Sequence, residues 1–180
     1  FNGSAALGGR ATSTISRNGD LVYRMYVTTT FETKTSGECG NMGNTLIKES
    51  ELEIGGQKID KHTGLWMETW AELSELNSVG SNGTAAANMA GLGTFTTFQR
   101  MSISGGVTGV ASKAVGEAYI PLPFWFCRNP GLALPLIALQ YHEVKVIFQF
   151  ATAAEIGAAA NTAANISLWA DYIYLDTDER

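Results

Sequence analysis

Two histidines, two cysteines and a scatter of carboxylates are the residues of this chain that could do chemistry, and their spacing suits little of it. His62 and His142 stand far apart in sequence, and neither has a metal-ligating partner at i+2 or i+4. A histidine-ligated metalloenzyme needs clustered histidines and a glutamate, so that class is set aside and no metal, catalytic group or cofactor is expected. His142 shares a predicted strand face with Val144 and Val146, which reads as a hydrogen-bonded residue at the rim of a core. Cys39 and Cys127 are too few for a disulfide framework. Asp171, Asp176, Asp178 and Glu179 match no calcium loop and read as charge at a strand end. The glycine-rich run at 80–93 has no following lysine and no strand-to-helix context, so it is no phosphate cradle. Sequons begin at Asn2, Asn82 and Asn165, but such patterns act only on a secretory route; Asn82 is the most exposed candidate for a glycan.

Charge and composition narrow the classes further. The chain of 180 residues is 45% hydrophobic and 16% charged, enough to bury one core, and its net charge is −5. Its twelve basic residues are scattered singly, which argues against nucleic acid as a partner. The chain starts at Phe1 rather than Met, as a fragment or processed product would, and no secretory signal is read at its start. Residues 118–139 are apolar and long enough to span a bilayer, yet they hold all four prolines, which a continuous helix does not tolerate.

That proline-rich stretch organises the rest. Ala118, Ile120, Leu122, Phe124 and Phe126 alternate with period two, the mark of one strand face. Pro121 and Pro123 remove amide donors from one flank, which predicts a strand at the edge of its sheet. A turn at 128–131 leads to a strand over 141–150 with Val144, Val146, Phe148 and Phe150 on its inner face.

Upstream, Asn18-Gly19 between runs at 10–16 and 21–32 predicts a hairpin. The second arm is expected to turn Leu21, Tyr23, Met25, Val27 and Phe31 inward. Residues 34–44 read as a solvated glycine-rich loop, and Gly55-Gly56 as the turn of a hairpin ending at His62. A helix over 64–76, capped by Thr63, is expected to bury Trp66, Trp70, Leu73 and Leu76. Residues 77–117 read as a long connection with a helical turn at Phe95, Phe98 and Met101, and 151–164 as a second connection. The last strand, 166–176, is apolar on both sides: Trp169, Ile173 and Leu175 oppose Ile166, Leu168, Tyr172 and Tyr174. Such a strand must be covered on both faces, so these three residues are the candidate assembly interface.

Four blocks carry a resemblance. SRNGDL at 16–21, ELEIGGQKIDKH at 51–62, PGLALPLIALQYHEVK at 130–145 and WADYIYLDTDER at 169–180, in this order, resemble the major capsid proteins of nucleocytoplasmic large DNA viruses. The resemblance implies an all-β fold, the first jelly-roll sandwich of a double jelly roll. It places residues 1–180 as most of that domain, with the opening strand nearly absent and the closing strand and second jelly roll missing. It further implies a homotrimer forming a pseudo-hexagonal capsomer, tiling with neighbouring capsomers and minor capsid proteins into an icosahedral virion shell over an internal lipid membrane. Assembly in the host cytoplasm, also implied, favours free thiols. Long loops at 77–117 would then belong to the capsomer's outer face. Jelly rolls also host sugars, and a lectin-like carbohydrate-binding module would need aromatic residues and carboxylates converging on a loop face. Here the aromatic residues fall in strand and helix patterns, which favours the shell.

Overall fold

The computed structural model describes residues 1–33, 41–75, 96–106, 117–156 and 161–176. They form two antiparallel sheets. The first has the order β1-β2-β8-β4-β5, from β1 (Asn2–Gly3), β2 (Arg10–Thr14), β4 (Ile47–Ile54), β5 (Gln57–Thr63) and β8 (Val144–Phe150). The second is built on β3 (Leu21–Thr33), flanked on one side by β6 (Glu117–Pro121) and β7 (Leu134–Pro135) and on the other by β9 (Asn161–Ile173).

Alternation drives this arrangement. Val144, Val146, Phe148 and Phe150 of β8 all point inward and are buried, while Lys145, Ile147 and Gln149 point out. From the other sheet Val22, Met25, Val27, Phe31, Ala118 and Ile120 close on the same core. Full burial of each large apolar side chain contributes about 1.5–3 kcal/mol, so the shared core is the main source of stability.

The expected turn at Gly55-Gly56 is present, with φ of 58° and 83°, and pairs β4 with β5. Asn18-Gly19, however, makes no hairpin. Strand β2 pairs with β8 from Arg10↔Gln149 to Thr14↔Lys145, while β3 lies in the other sheet, so residues 15–20 cross between sheets. Neither Asn18 nor Gly19 has positive φ; Gly19 is needed for space, because a Cβ there would lie 2.7 Å from Tyr172 Cβ.

Strand β3 also departs from simple alternation. Val22 is buried, a register shift follows between Val22 and Met25, and then Met25, Val27, Thr29 and Phe31 are buried. The bulge changes the parity of the strand, so Leu21 and Tyr23 are only half-buried. Strand β6 stops at Pro121, and pairs with β3 alone among the described residues. Leu122, Phe124 and Phe126 remain buried beyond it, but Pro123 lies outside any strand and Phe126 sits in the short helix α4 (Trp125–Arg128).

Two further helices were not fully legible. Helix α1 (Met42–Leu46) occupies part of the expected loop and buries Met42 and Leu46. Helix α3 (Thr97–Ser102) has a reciprocal cap between Thr96 and Gln99 and buries Gln99 and Ser102, while Met101 is exposed; Phe95 lies outside the described residues. Strand β9 begins at Asn161, inside the segment expected to be a connection.

Candidate assembly surfaces

Helix α2 (Gly64–Ser74) begins as expected, with the Thr63 hydroxyl accepting from the Trp66 amide at 3.2 Å. Its buried face is not the expected one. Met67 and Ala71 point inward, Leu65 and Leu73 are 80% and 77% exposed, Trp70 is half-buried, and Leu76 lies outside the described residues. The reason is Glu68, whose carboxylate accepts from Asn44 Nδ2 at 2.8 Å and from the amides of Gly105 and Gly106 at 3.0 and 2.8 Å. A carboxylate that satisfies two backbone amides is held close to the body of the protein. Beside it Asn41 Oδ1 accepts from the Gly106 amide at 3.1 Å and Ser104 Oγ from the Asn44 amide at 2.7 Å. Asn41 and Gly106 are therefore tied to α2 at one place. Its sequence sign was a glutamate one position from the helix's apolar line.

The outer face of the first sheet is charged and internally paired. Lys58 contacts Glu51 at 2.6 Å, and Lys61 bridges Glu49 at 2.8 Å and Glu51 at 3.5 Å. Hydrogen bonding from Lys58 holds the Glu51 carboxyl below its ordinary range, and hydrogen bonding to Glu49 raises the Lys61 ammonium. Such exposed pairs stabilise little individually, but they keep this face charged and hydrated.

The outer face of the second sheet is different. Tyr119 of β6 and Tyr26 of β3 approach with ring centroids 6.3 Å apart, and Tyr26 stands opposite Trp169 of β9. Trp169 is 56% exposed, and its indole Nε1 donates to Thr28 Oγ1 at 3.1 Å. Further along, Ile173 and Leu175 are half-buried, Tyr174 is 68% exposed, and the Leu175 amide donates to Asp20 Oδ2 at 2.7 Å. The opposite face of β9 packs Ile166, Leu168, Ala170 and Tyr172 against the core. A groove of about 590 Å³ continues this face past Tyr26, Tyr119, Pro121, Phe98 and Met101, with Arg24 and Asp171 also lining it.

The remaining chemistry-bearing residues are dispersed. Among the described residues no three of His, Cys, Asp or Glu lie close enough to hold a metal ion. Burial pushes the Cys127 thiol up to about 12, so it stays protonated; Cys39 lies outside the described residues. His142 is exposed in a turn ahead of β8 rather than on the strand, because β8 begins only at Val144; its ring instead covers Gly55, where a Cβ would lie 2.6 Å from His142 Nδ1. Asn2 and Asn165 are exposed, Asn165 with a φ of 55°, while Asn82, Asp178 and Glu179 lie outside the described residues.

Residues 1–176 match the family described as major capsid protein N-terminus. The whole chain aligns at 44% identity with the major capsid protein of Pyramimonas orientalis virus, covering 43% of it, and at 39% with that of Paramecium bursaria Chlorella virus 1, covering 39%. A quasi-atomic structure of the Paramecium bursaria Chlorella virus 1 capsid superposes with a TM-score of 0.75 at 35% identity, over 99% of this chain and 41% of that one. The chain thus spans about two fifths of the length of these relatives. The major capsid protein of Faustovirus shares the fold with a TM-score of 0.56 at 13% identity. The two-sheet arrangement matches the jelly-roll sandwich of these neighbours.

Proposed function

Because the chain belongs to the major capsid protein N-terminus family, we propose that it builds the wall of a large DNA virus shell, a structural role rather than a catalytic one. The observation that carries this is the outer face of the second sheet. Trp169 is more than half exposed in a row with Tyr26 and Tyr119, where an independent sandwich would present charge as the first sheet does. Trp169, Ile173 and Leu175 form the contact surface, covered in the complete protein by a second sandwich or by a neighbouring subunit. Strand β9 adds a second demand. Among the described residues it pairs only with β3, and the other edge of this long strand requires a partner strand or a cover.

In this reading three full-length chains close into a homotrimer, and trimers tile with neighbouring capsomers and minor capsid proteins above the virion membrane. Symmetry makes each modest contact recur around a closed ring. The major capsid proteins among its relatives and the match to a solved virus capsid support this reading. The test is the mass of the full-length protein in solution, read by sedimentation, for the parent and for Trp169→Glu. A parent trimer that the substitution breaks into folded monomers is the expected result. A parent that stays monomeric at all concentrations, or a variant that trimerises equally well, overturns it.

A further inference from the structure

His62 is the most buried ionisable ring among the described residues, and its surroundings on balance disfavour the charged form. It is 5% exposed at the end of β5, stacked on Phe124 with centroids 4.9 Å apart and near Trp66 at 6.3 Å. Its Nε2 lies 3.2 Å from Asp60 Oδ2, so the neutral ring donates there. Its Nδ1 is buried and has no hydrogen-bond partner among the described residues. Directly across the ladder stands Ser50, whose hydroxyl is buried and equally without a partner.

We propose that His62 is an acid-sensitive joint: a second proton on Nδ1 loosens the place where β5, α2 and α4 meet, and opens that corner of the sandwich while the two sheets stay closed. The chain itself routes the strain there. Thr63, the next residue, caps α2, and Phe124, under the imidazole, is the residue from which α4 starts. Arg128 at the end of α4 lies over the Trp70 ring of α2 at 4.1 Å, joining the two helices from the far side.

The charges facing the ring decide the sign. Asp60 on the same strand favours the imidazolium, while Arg128 from α4 opposes it; β4 contributes the neutral Ser50 and α2 the neutral Trp66. Burial outweighs Asp60 and lowers the proton affinity of the ring. A freed imidazole titrates near its ordinary value of about 6.5. Below that pH the opened corner binds a proton that the closed corner refuses, so opening becomes easier by up to about tenfold per pH unit until the buried ring itself titrates.

The experiment is hydrogen exchange on the full-length protein at about pH 7.5 and about pH 5.5, corrected for intrinsic exchange rates. Segments 60–74 and 124–128 are expected to open several-fold, up to about tenfold, more often at the lower pH, with 144–150 unchanged. His62→Gln and His62→Phe, neither of which titrates, are expected to exchange equally at both values. Two variants guard against one failing to fold. Acid-induced opening that persists in a folded variant, or a parent that shows none, overturns the proposal. So does loss of protection spread evenly over 144–150, which would mean global unfolding.

Discussion

The two outer faces of this sandwich are made by the same rule and end in opposite chemistry. Each strand turns alternate residues inward to one core, leaving the others to whatever lies outside. On the first sheet those others include Glu49, Glu51, Lys58, Lys61 and Lys145, which pair with one another and with Glu143 just before β8, beside the partly exposed Ile147. On the second they include Tyr26, Tyr119, Trp169 and Ile173, where rings touch rings and Trp169 stays more than half exposed, with no ion pair joining them. The difference teaches that inward patterning specifies the fold, whereas the outward residues specify what the fold meets. A wall must face solvent somewhere and other protein somewhere else.

The comparison is sharpened first at the core that both faces share. Phe148→Ala removes a fully buried ring and should cost about 3–5 kcal/mol in chemical denaturation, whichever outer face is considered. Next comes the crossing between sheets. Gly19→Ala forces a methyl against Tyr172 and should cost about 1–3 kcal/mol by the same measurement. Outer-face changes separate the sheets more finely. Trp169→Glu should abolish assembly while barely moving the melting temperature of the isolated chain, whereas Ile147→Glu on the first sheet should leave assembly intact; equal effects of the two would erase the distinction. The smallest effect belongs to Glu155, whose carboxyl is held down at about 2, chiefly by its hydrogen bond from Lys48. Its contribution is fully present above the ordinary carboxylate value of 4.5 and fades as pH falls from there toward about 2, so Glu155→Gln should slightly flatten the pH dependence of the melting temperature in that window.

What the sequence disclosed follows the range of the forces involved. The Gly55-Gly56 turn and the Thr63 cap are fixed by neighbours a few residues away, and both appear as expected. Burial of Ala118, Ile120, Leu122, Phe124 and Phe126 was also legible, although the strand ends at Pro121 and the later members reach the core from a bend and a helix. The Asn18-Gly19 hairpin failed because that dipeptide marks a reversal without saying which strands it joins. Leu21 and Tyr23 failed because one bulge inverts the parity of everything before it. The face of α2 failed because Glu68 serves loop amides from residues 105 and 106, a partnership no periodicity contains. The outer surface was legible in a different way: Trp169 could be picked out as excess to a single core, since its neighbours on both sides of the strand were apolar too.

The pairing of Arg10 with Gln149 also sets a timetable for synthesis. Strand β8 sits between β2 and β4, so the first sheet cannot join these two strands until residues 144–150 have left the ribosome. Non-local pairing of this kind folds slowly and leaves early strands bare in the meantime. A cell making many copies at once would hold a large pool of half-zipped polypeptides, and a chain cut short before Val144 would lack the central strand that joins β2 to β4.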